Sequence, residues 1–144
     1  MNSSEPISII YSRGDPAVGL MEAHCFVQKF VEQQQLLPRS MDEIQRLMQY
    51  SFTASANGDL VGFVALEIYS PKLSEIQCLA VDSDFQRLGI GRELVNRCVA
   101  LAGEMNVLEL MAISNSDEMF LACGFDYSLP NQKRALFIQP QSSE

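Results

Sequence analysis

The sequence contains no tryptophan, one histidine, and ten lysine and arginine residues against eighteen acidic ones, for a formal net charge of −8 at pH 7. Such an acidic chain lacks the basic surface that binds phosphate backbones, so we expect no nucleic-acid partner. Its apolar runs are too short to span a bilayer, and the start MNSSEP lacks the basic and apolar regions of a signal peptide. We therefore predict a soluble, cytoplasmic protein with no membrane partner.

Metal-binding and redox motifs are also missing. Cys25, Cys78, Cys98 and Cys123 lie far apart in apolar patterns, without the paired spacing of a zinc site or a C-x-x-C motif. We predict reduced core thiols and no metal. The single histidine, His24, lies on a helix-like run, where a packing or surface role is favoured over a zinc site or a serine-type triad.

The remaining composition is that of a globular protein. With 144 residues, 47% hydrophobic and 19% charged, the chain is long enough for one core of ordinary size and too short for two. It contains no internal repeat or low-complexity tract. We predict a single domain over residues 1–144.

The N-terminal part shows a strand followed by two helices. Residues 7–11 are rich in β-branched residues, and Asp15 before Pro16 is typical of a helix N-cap with proline at the first helical position. Ser40 and Glu43 have the S-x-x-E spacing of a capping box, which predicts a short second helix.

A hairpin and a central strand follow. Asn57-Gly58 tolerates positive φ at both positions, and the β-rich segments 50–56 and 60–69 flank it, so the pattern predicts two antiparallel strands. Residues 75–81 form an apolar run with few polar breaks, which is typical of a strand covered on both faces.

The C-terminal part predicts two helices and two strands. Apolar residues at helical spacing follow a glycine pair: Leu94, Val95, Cys98, Val99 and Ala102. A strand is predicted at 107–113, then a helix over 117–123 that Ser116 caps and Gly124 ends, and a last strand at 134–139.

The junction between the central strand and the third helix contains Gly89 and Gly91. A helix N-terminus presents unpaired N–H groups and favours negative charge, and glycines let a phosphate approach the main chain. Arg87 and Arg92 add cationic side chains. The P-loop motif is absent, and Leu94 stands where the dinucleotide fingerprint needs a third glycine. The alternatives are a phosphate-ligand site of another kind and a purely structural turn.

The segment QRLGIG (86–91) resembles the [RQ]-x-x-G-x-[GA] acetyl-CoA loop of the GNAT N-acetyltransferases. The order of predicted elements, including the Asn-Gly hairpin and the GF pair at 124–125, is similar to that family over nearly the whole chain. The resemblance implies a single-domain α/β (α+β) fold with a mixed, mostly antiparallel central sheet flanked by helices. It also implies acetyl-CoA as co-substrate and no metal.

The same resemblance assigns the cofactor-binding residues. Main-chain amides of residues 88–92 are expected to hold the pyrophosphate, and N–H groups near Leu79 and Val81 the pantetheine arm and thioester oxygen. The full set is Leu79, Ala80, Val81, Gln86, Arg87, Leu88, Gly89, Ile90, Gly91 and Arg92.

Within that superfamily the chain is similar to the acetyltransferase domain of N-acetylglutamate synthase. The segments that carry this likeness are residues 34–44, residues 75–81, and LP (129–130) with Lys133. The kinase domain of that enzyme's long form, with any arginine feedback site, is not in this sequence, so we expect a stand-alone catalytic domain. The likeness implies that Arg39, Cys78 and Lys133 bind substrate, with Arg134 a further candidate. The segment after residue 134 is shorter than in the synthase, and an arginine expected on its last strand is not evident.

Glu75 and Ser114 are the candidate catalytic residues. Glu75 lies where GNAT enzymes commonly carry a general base, with a strand-edge charge as the alternative. Glu75 and Cys78 are an odd number apart, so a β-bulge must intervene for both to line one pocket; otherwise Cys78 is a core residue. Phe120 replaces the tyrosine that many family members use as the acid, and the synthase resemblance points to Ser114 instead. The alternative for Ser114 is an ordinary neighbour of a helix cap.

We therefore predict an acetyl-CoA-dependent N-acetyltransferase that acts by direct attack on a small-molecule amine, with glutamate or a related amino acid as the leading acceptor. A non-catalytic acyl-CoA-binding regulatory module and an acetyltransferase for xenobiotic amines or amino-acid analogues are the alternatives. A homodimer is compatible with the sequence.

Overall fold

The computed structural model describes residues 6–127 and 135–141. Their helices and strands, in chain order, are β1 (Ile9–Arg13), α1 (Pro16–Glu32), α2 (Met41–Leu47), β2 (Ser51–Ala56), β3 (Asp59–Ser70), β4 (Leu73–Val81), α3 (Ile90–Glu104), β5 (Glu109–Met111) and α4 (Asp117–Ala122). The strands form one sheet in the order β1-β2-β3-β4-β5, antiparallel from β1 to β4, with β5 parallel to β4. The prediction of a mixed, mostly antiparallel sheet flanked by helices is confirmed.

Both predicted helix starts are confirmed by their hydrogen bonds. The Asp15 side chain accepts from the Ala17 N–H at 2.9 Å, with Pro16 at the first helical position. At α2 the Glu43 N–H donates to Ser40 Oγ at 3.1 Å, and the Ser40 N–H donates to Glu43 Oε1 at 2.8 Å. Each cap satisfies N–H groups that the helix leaves unpaired, which typically contributes about 1 kcal/mol.

The hairpin between β2 and β3 also forms as predicted. Asn57 and Gly58 have φ values of 53° and 85°, the positive region that a two-residue turn requires. The turn places β3 in the middle of the sheet, where it pairs with β2 and β4.

Helices cover both faces of the sheet. On one face α3 buries Leu94, Val95 and Cys98 against β3 and β4. On the other face α1 and α2 contribute Phe26, Val27, Phe30, Ile44 and Leu47, which pack on Phe63, Ala65, Cys78 and Ala80. Each fully buried large apolar side chain contributes about 1.5–3 kcal/mol. The prediction that β4 is covered on both faces is confirmed.

The predicted last strand is wrong over residues 135–139, which form no strand. Leu136, Phe137 and Ile138 are largely exposed, and Arg134 lies outside the described residues. β-rich composition produces a strand only where a neighbouring edge supplies hydrogen bonds and a covered face. The edge strand β5 is short: it spans Glu109–Met111 rather than the predicted 107–113.

The prediction of four core thiols needs correction, whereas the packing role favoured for His24 is confirmed. Cys78 and Cys98 are buried, but Cys25 is exposed and Cys123 only partly buried, although all four are free thiols. Cys25 lies outside the buried stripe of α1, which contains Ala23, Phe26, Val27 and Phe30. His24 has a packing role, because its Nε2 donates to the Arg39 carbonyl oxygen at 3.2 Å.

Among the described residues, none of the helices combines the length and the apolar character needed to cross a bilayer.

Candidate active site

Strands β4 and β5 separate at the centre of the molecule. Their parallel pairing runs from Leu73 and Glu109 to Glu75 and Met111 and ends there, whereas β4 continues to Val81. On the β5 side, none of the described strands pairs with β4 beyond Glu75. The gap exposes a strand edge whose N–H and C=O groups are available to an extended ligand.

A β-bulge in β4 lies at this gap. Phe63 of β3 pairs with Ala80, but Ala65 pairs with Gln77, so β4 has one more residue than β3 between the two pairs. Cys78, in this segment, has a φ of 56°, a conformation that costs a non-glycine residue on the order of 1–3 kcal/mol. The predicted bulge is confirmed. Cys78 therefore packs with α1 and α2, while Leu79 packs on the α3 side.

A cleft of about 710 Å³ lies between the end of β4 and the start of α3, and we call it the loop cleft. Nine of the ten predicted cofactor-binding residues line it: Leu79, Ala80, Val81, Gln86, Arg87, Gly89, Ile90, Gly91 and Arg92. The exception is Leu88, whose side chain is exposed and does not line the cleft.

The backbone of the loop cleft fits an anionic group. Gly89 is the N-cap of α3 with a φ of 82°, and no side chain of the described residues caps this helix. A Cβ at Gly89 would meet no atom within 4 Å, and one at Gly91 would lie 3.8 Å from Val81 Cγ2. The first N–H groups of a helix have no intrahelical partner and favour negative charge. A diphosphate is a group of this kind.

Polar side chains hold the loop in place. Lys29 Nζ binds Asp82 Oδ1 at 2.8 Å, which ties the end of β4 to α1. Gln86 Nε2 donates to the Val81 carbonyl oxygen at 3.2 Å, and Arg92 Nη2 donates to the Ala122 carbonyl oxygen at 3.3 Å. The last contact links the start of α3 to the end of α4.

A second cleft, of about 690 Å³, follows β4 towards Glu75, and we call it the strand cleft. Arg39, Glu75, Cys78 and Ser114 all line it, so the structure brings these four predicted site residues together. The predicted residues Lys133 and Arg134 lie outside the described part of the chain.

The two clefts adjoin each other. Leu79, Ser114 and Phe120 line both of them. A ligand bound in the loop cleft along β4 would therefore present its end to the side chains of the strand cleft. The arrangement has the geometry of a two-substrate site, with a phosphate-binding end and a polar acceptor end.

The polar end contains a hydrogen-bond network that the sequence did not predict. Glu75 Oε1 accepts from the Tyr69 hydroxyl at 2.5 Å and from Gln77 Nε2 at 3.2 Å. Gln77 Oε1 accepts from Arg39 Nη2 at 2.8 Å. The missed residues are Tyr69 and Gln77. No local sequence signal points to them, because only the pairing of Glu67 with Glu75 across β3 and β4 brings these polar residues together.

Cys78 lies next to Arg39, a member of this network. Arg39 Nη1 donates to the carbonyl oxygens of Leu37 and Pro38, both at 3.2 Å, so its guanidinium is held firmly. Burial raises the pKa of the Cys78 thiol, and the nearby Arg39 charge opposes this only in part. Cys78 is therefore a neutral thiol near pH 7 rather than a thiolate nucleophile.

Ser114 lies where the clefts meet. Its Oγ accepts from the Ser116 N–H at 2.9 Å, which leaves its own proton available for donation. Ser116 is at the N-cap position of α4, as predicted, but its side chain makes no capping hydrogen bond. Phe120 packs edge-on against Phe125, with ring centroids 5.3 Å apart, and carries no proton to donate.

The acetyltransferase (GNAT) family model matches residues 19–125. This chain belongs to the GNAT family of acetyltransferases. The match includes every residue that lines the two clefts. It confirms the family predicted from the QRLGIG segment.

Three relatives of this GNAT domain illustrate the likeness. An uncharacterized N-acetyltransferase of Chlorobaculum tepidum is 33% identical over 62% of this chain and 58% of its own length. The chloroplastic GCN5-related N-acetyltransferase 3 of Arabidopsis thaliana is 38% identical over 49% of this chain and 30% of its own. The N-acetylglutamate synthase of Neisseria gonorrhoeae, solved with coenzyme A and N-acetyl-glutamate, superimposes with a TM-score of 0.69 at 22% identity, over 82% of this chain and 28% of its own. The chain thus spans less than two thirds of each of these proteins.

Proposed function

We propose that this chain is an acetyl-CoA-dependent N-acetyltransferase that transfers an acetyl group to the amine of a small molecule by direct attack. The observation that carries the proposal is that the two clefts adjoin at Leu79 and Ser114, which line both. It would place a thioester held along β4 next to the only catalytic carboxylate predicted from the sequence, Glu75.

In this proposal the loop cleft binds the coenzyme. The main-chain N–H groups at the start of α3 donate to the diphosphate, and Gly89 and Gly91 leave the space that its oxygens need. The free edge of β4 near Leu79 and Val81 binds the extended pantetheine arm and orients the thioester carbonyl.

Glu75 is the general base. Amide formation needs a neutral amine, whose nitrogen forms a bond to the thioester carbonyl carbon while the carbon–sulfur bond breaks. Glu75 takes the amine proton, directly or through water. Ser114 relays a proton from solvent to the leaving thiolate, and Glu75 returns the amine proton to solvent afterwards. The thiolate is a fair leaving group because thiols have pKa values near 8.5.

Arg39 and Cys78 contribute to the acceptor site in this proposal, and Lys133, outside the described residues, remains a candidate from the sequence alone. A cationic guanidinium can bind the carboxylate of an amino acid and orient its amine, and this supports glutamate or a related amino acid as the leading acceptor. A xenobiotic amine or an amino-acid analogue is the alternative acceptor for the same reaction. The panel of amines described below distinguishes these acceptors from glutamate.

A non-catalytic acyl-CoA-binding module is the second candidate function. Phe120 favours it, because a phenylalanine has no hydroxyl that could protonate the leaving group.

The test is incubation of the full chain with acetyl-CoA and a panel of amines: glutamate, other amino acids, polyamines and aromatic amines. Because Cys25 is an exposed free thiol and would add to the signal of a thiol reagent, free coenzyme A should be quantified by chromatography. Acceptor-dependent coenzyme A release that Glu75→Gln diminishes supports the enzyme; acetyl-CoA binding without such release supports the module.

A further inference from the structure

We propose that Tyr69 and Gln77 are positioning residues that hold the Glu75 carboxylate in its reactive orientation, with Arg39 fixing the amide of Gln77. This inference rests on the proposed role of Glu75 as the base. It assigns a function to two residues outside the acetyl-CoA loop, one on β3 and one on β4.

Both donors bind the same carboxylate oxygen. Tyr69 and Gln77 donate to Glu75 Oε1 at 2.5 and 3.2 Å, whereas Oε2 makes no hydrogen bond to any of the described residues. The carboxylate is therefore anchored through one oxygen. The second oxygen remains available to accept a proton from the amine in the strand cleft.

The chemistry of the neighbours determines how the Gln77 amide is turned. Arg39 Nη2 can only donate, so the atom it contacts at 2.8 Å must be the amide oxygen. The Gln77 NH₂ group then faces the carboxylates and donates to Glu67 Oε1 at 3.0 Å as well as to Glu75. Arg39 thus orients the Gln77 amide, and the amide in turn donates to the Glu75 carboxylate.

The charged groups around Glu75 are few and identifiable. From β3 it faces Glu67 and Tyr69, and Arg46 of α2 compensates Glu67 through a 2.7 Å ion pair. From the segment before α2, Arg39 acts through Gln77. On β5 the paired residue is Met111, which does not titrate. Donors to a carboxylate favour its charged form, the form that a base must have.

Tyr69 remains a donor across the neutral range. Burial raises the pKa of Tyr69 well above its ordinary value of 10, and the hydrogen bond to Glu75 and the charges of Glu75 and Glu67 raise it further. Its hydroxyl therefore keeps its proton wherever the enzyme would operate.

The kinetic test compares Tyr69→Phe and Gln77→Leu with the unchanged chain, using the acceptor identified above. We expect kcat to fall about tenfold in each, with an unchanged KM for acetyl-CoA. Unchanged kcat in both variants would overturn the proposal, and so would a rise in the KM for acetyl-CoA in place of a fall in kcat.

Tyr127→Phe is the matched control. Its hydroxyl also donates to a carboxylate, Asp117 Oδ2 at 2.6 Å, and its side chain is similarly exposed, but this carboxylate belongs to α4 and the donors to Glu75 are Tyr69 and Gln77. We expect wild-type kcat from this variant. An equal loss in Tyr127→Phe would mean that the effect is general destabilisation, which contradicts a positioning role.

A readout without turnover separates this inference from the proposed function. In protein labelled with ¹³C at tyrosine Cζ, the resonance of Tyr69 is assigned by its absence in Tyr69→Phe. Its pKa should fall in Glu75→Gln, because a neutral amide removes the charge that raises it. No change in the Tyr69 titration would refute the contact even in an active enzyme. A fall in a chain that acetylates no amine would keep the contact and reject the enzyme.

Discussion

Gly62 of β3 lies directly beneath Leu94 of α3: a methyl group at Gly62 would be 3.1 Å from Leu94 Cδ1 and equally close to Ile90 Cγ2. Such contacts are shorter than ordinary van der Waals distances. The glycine therefore lets α3 pack closely on the sheet and sets the height of the helix start that lines the loop cleft.

Gly62→Ala should lower the free energy of unfolding by about 1–3 kcal/mol, because the added methyl overpacks a buried contact. It should also weaken acetyl-CoA binding, since α3 must move outward. Gly103→Ala is the control: its methyl would meet nothing within 4 Å, and it should stabilise helix α3 by about 0.5–1 kcal/mol. Urea titration and calorimetric binding measure the two effects, and a neutral Gly62→Ala would contradict the packing argument.

Gly91→Glu should raise the dissociation constant of acetyl-CoA at least about tenfold, because a carboxylate would occupy and repel the diphosphate position. Gly103→Glu adds the same charge near the other end of α3 and should leave binding unchanged. Isothermal titration calorimetry at two salt concentrations is the measurement. Equal affinity for wild type and Gly91→Glu would mean that the coenzyme binds elsewhere.

Glu75→Gln should reduce turnover most strongly at low pH. There the amine is mostly protonated and a base is needed, whereas at high pH a larger fraction of the amine is already neutral. The ratio of wild-type to variant kcat/KM, measured from pH 6 to 10, should decline as the pH rises. A ratio that is constant across this range would remove the role of general base from Glu75.

Ser114→Ala should lower kcat about tenfold if Ser114 protonates the leaving thiolate, and less if solvent does so. Phe120→Tyr adds a hydroxyl to a side chain that lines both clefts. We expect Phe120→Tyr to restore part of the activity in the Ser114→Ala background. Steady-state rates of the single and double variants test this, and full activity of Ser114→Ala would assign the proton to water.

Alkaline pH should destabilise the fold through Cys98, because burial raises the pKa of this thiol to about 12. Its contribution to stability is fully present below the unfolded value, about pH 8.5, and is lost as the pH rises towards 12. Above about pH 9 the slope is about 1.4 kcal/mol per pH unit. Cys98→Ala should show a shallower decline in the free energy of unfolding than wild type, while Cys25→Ala, at an exposed site, should match the wild-type slope. Equal slopes for all three proteins would contradict the prediction.

Local signals allowed much of this structure to be predicted. The Asp15 cap, the Ser40–Glu43 capping box and the Asn57-Gly58 turn depend on a few adjacent residues, and all three formed as expected. The bulge was predicted for a functional reason, since Glu75 and Cys78 could not otherwise share a cleft, and the register of β4 confirms it.

The errors came from interactions between segments distant in the sequence. A strand at residues 135–139 would need a neighbouring strand edge to pair with. The edge strand β5 spans only Glu109–Met111 of the predicted 107–113, and residues 135–139 form no strand. Tyr69 and Gln77 escaped notice because only the pairing of β3 with β4 brings them to Glu75. Their individual residue types carry no signal.

The bulge has a consequence for how β4 could evolve. Ile76 and Leu79 pack on the α3 side and Cys78 packs on the α1 and α2 side, so the bulge places two residues, Gln77 and Cys78, between two neighbours of the α3 face. A β4 without the bulge would be relieved of a left-handed residue, which costs on the order of 1–3 kcal/mol, but it would lose the buried Cys78 side chain from the core. The strand thus keeps a strained residue at the point where it separates from β5.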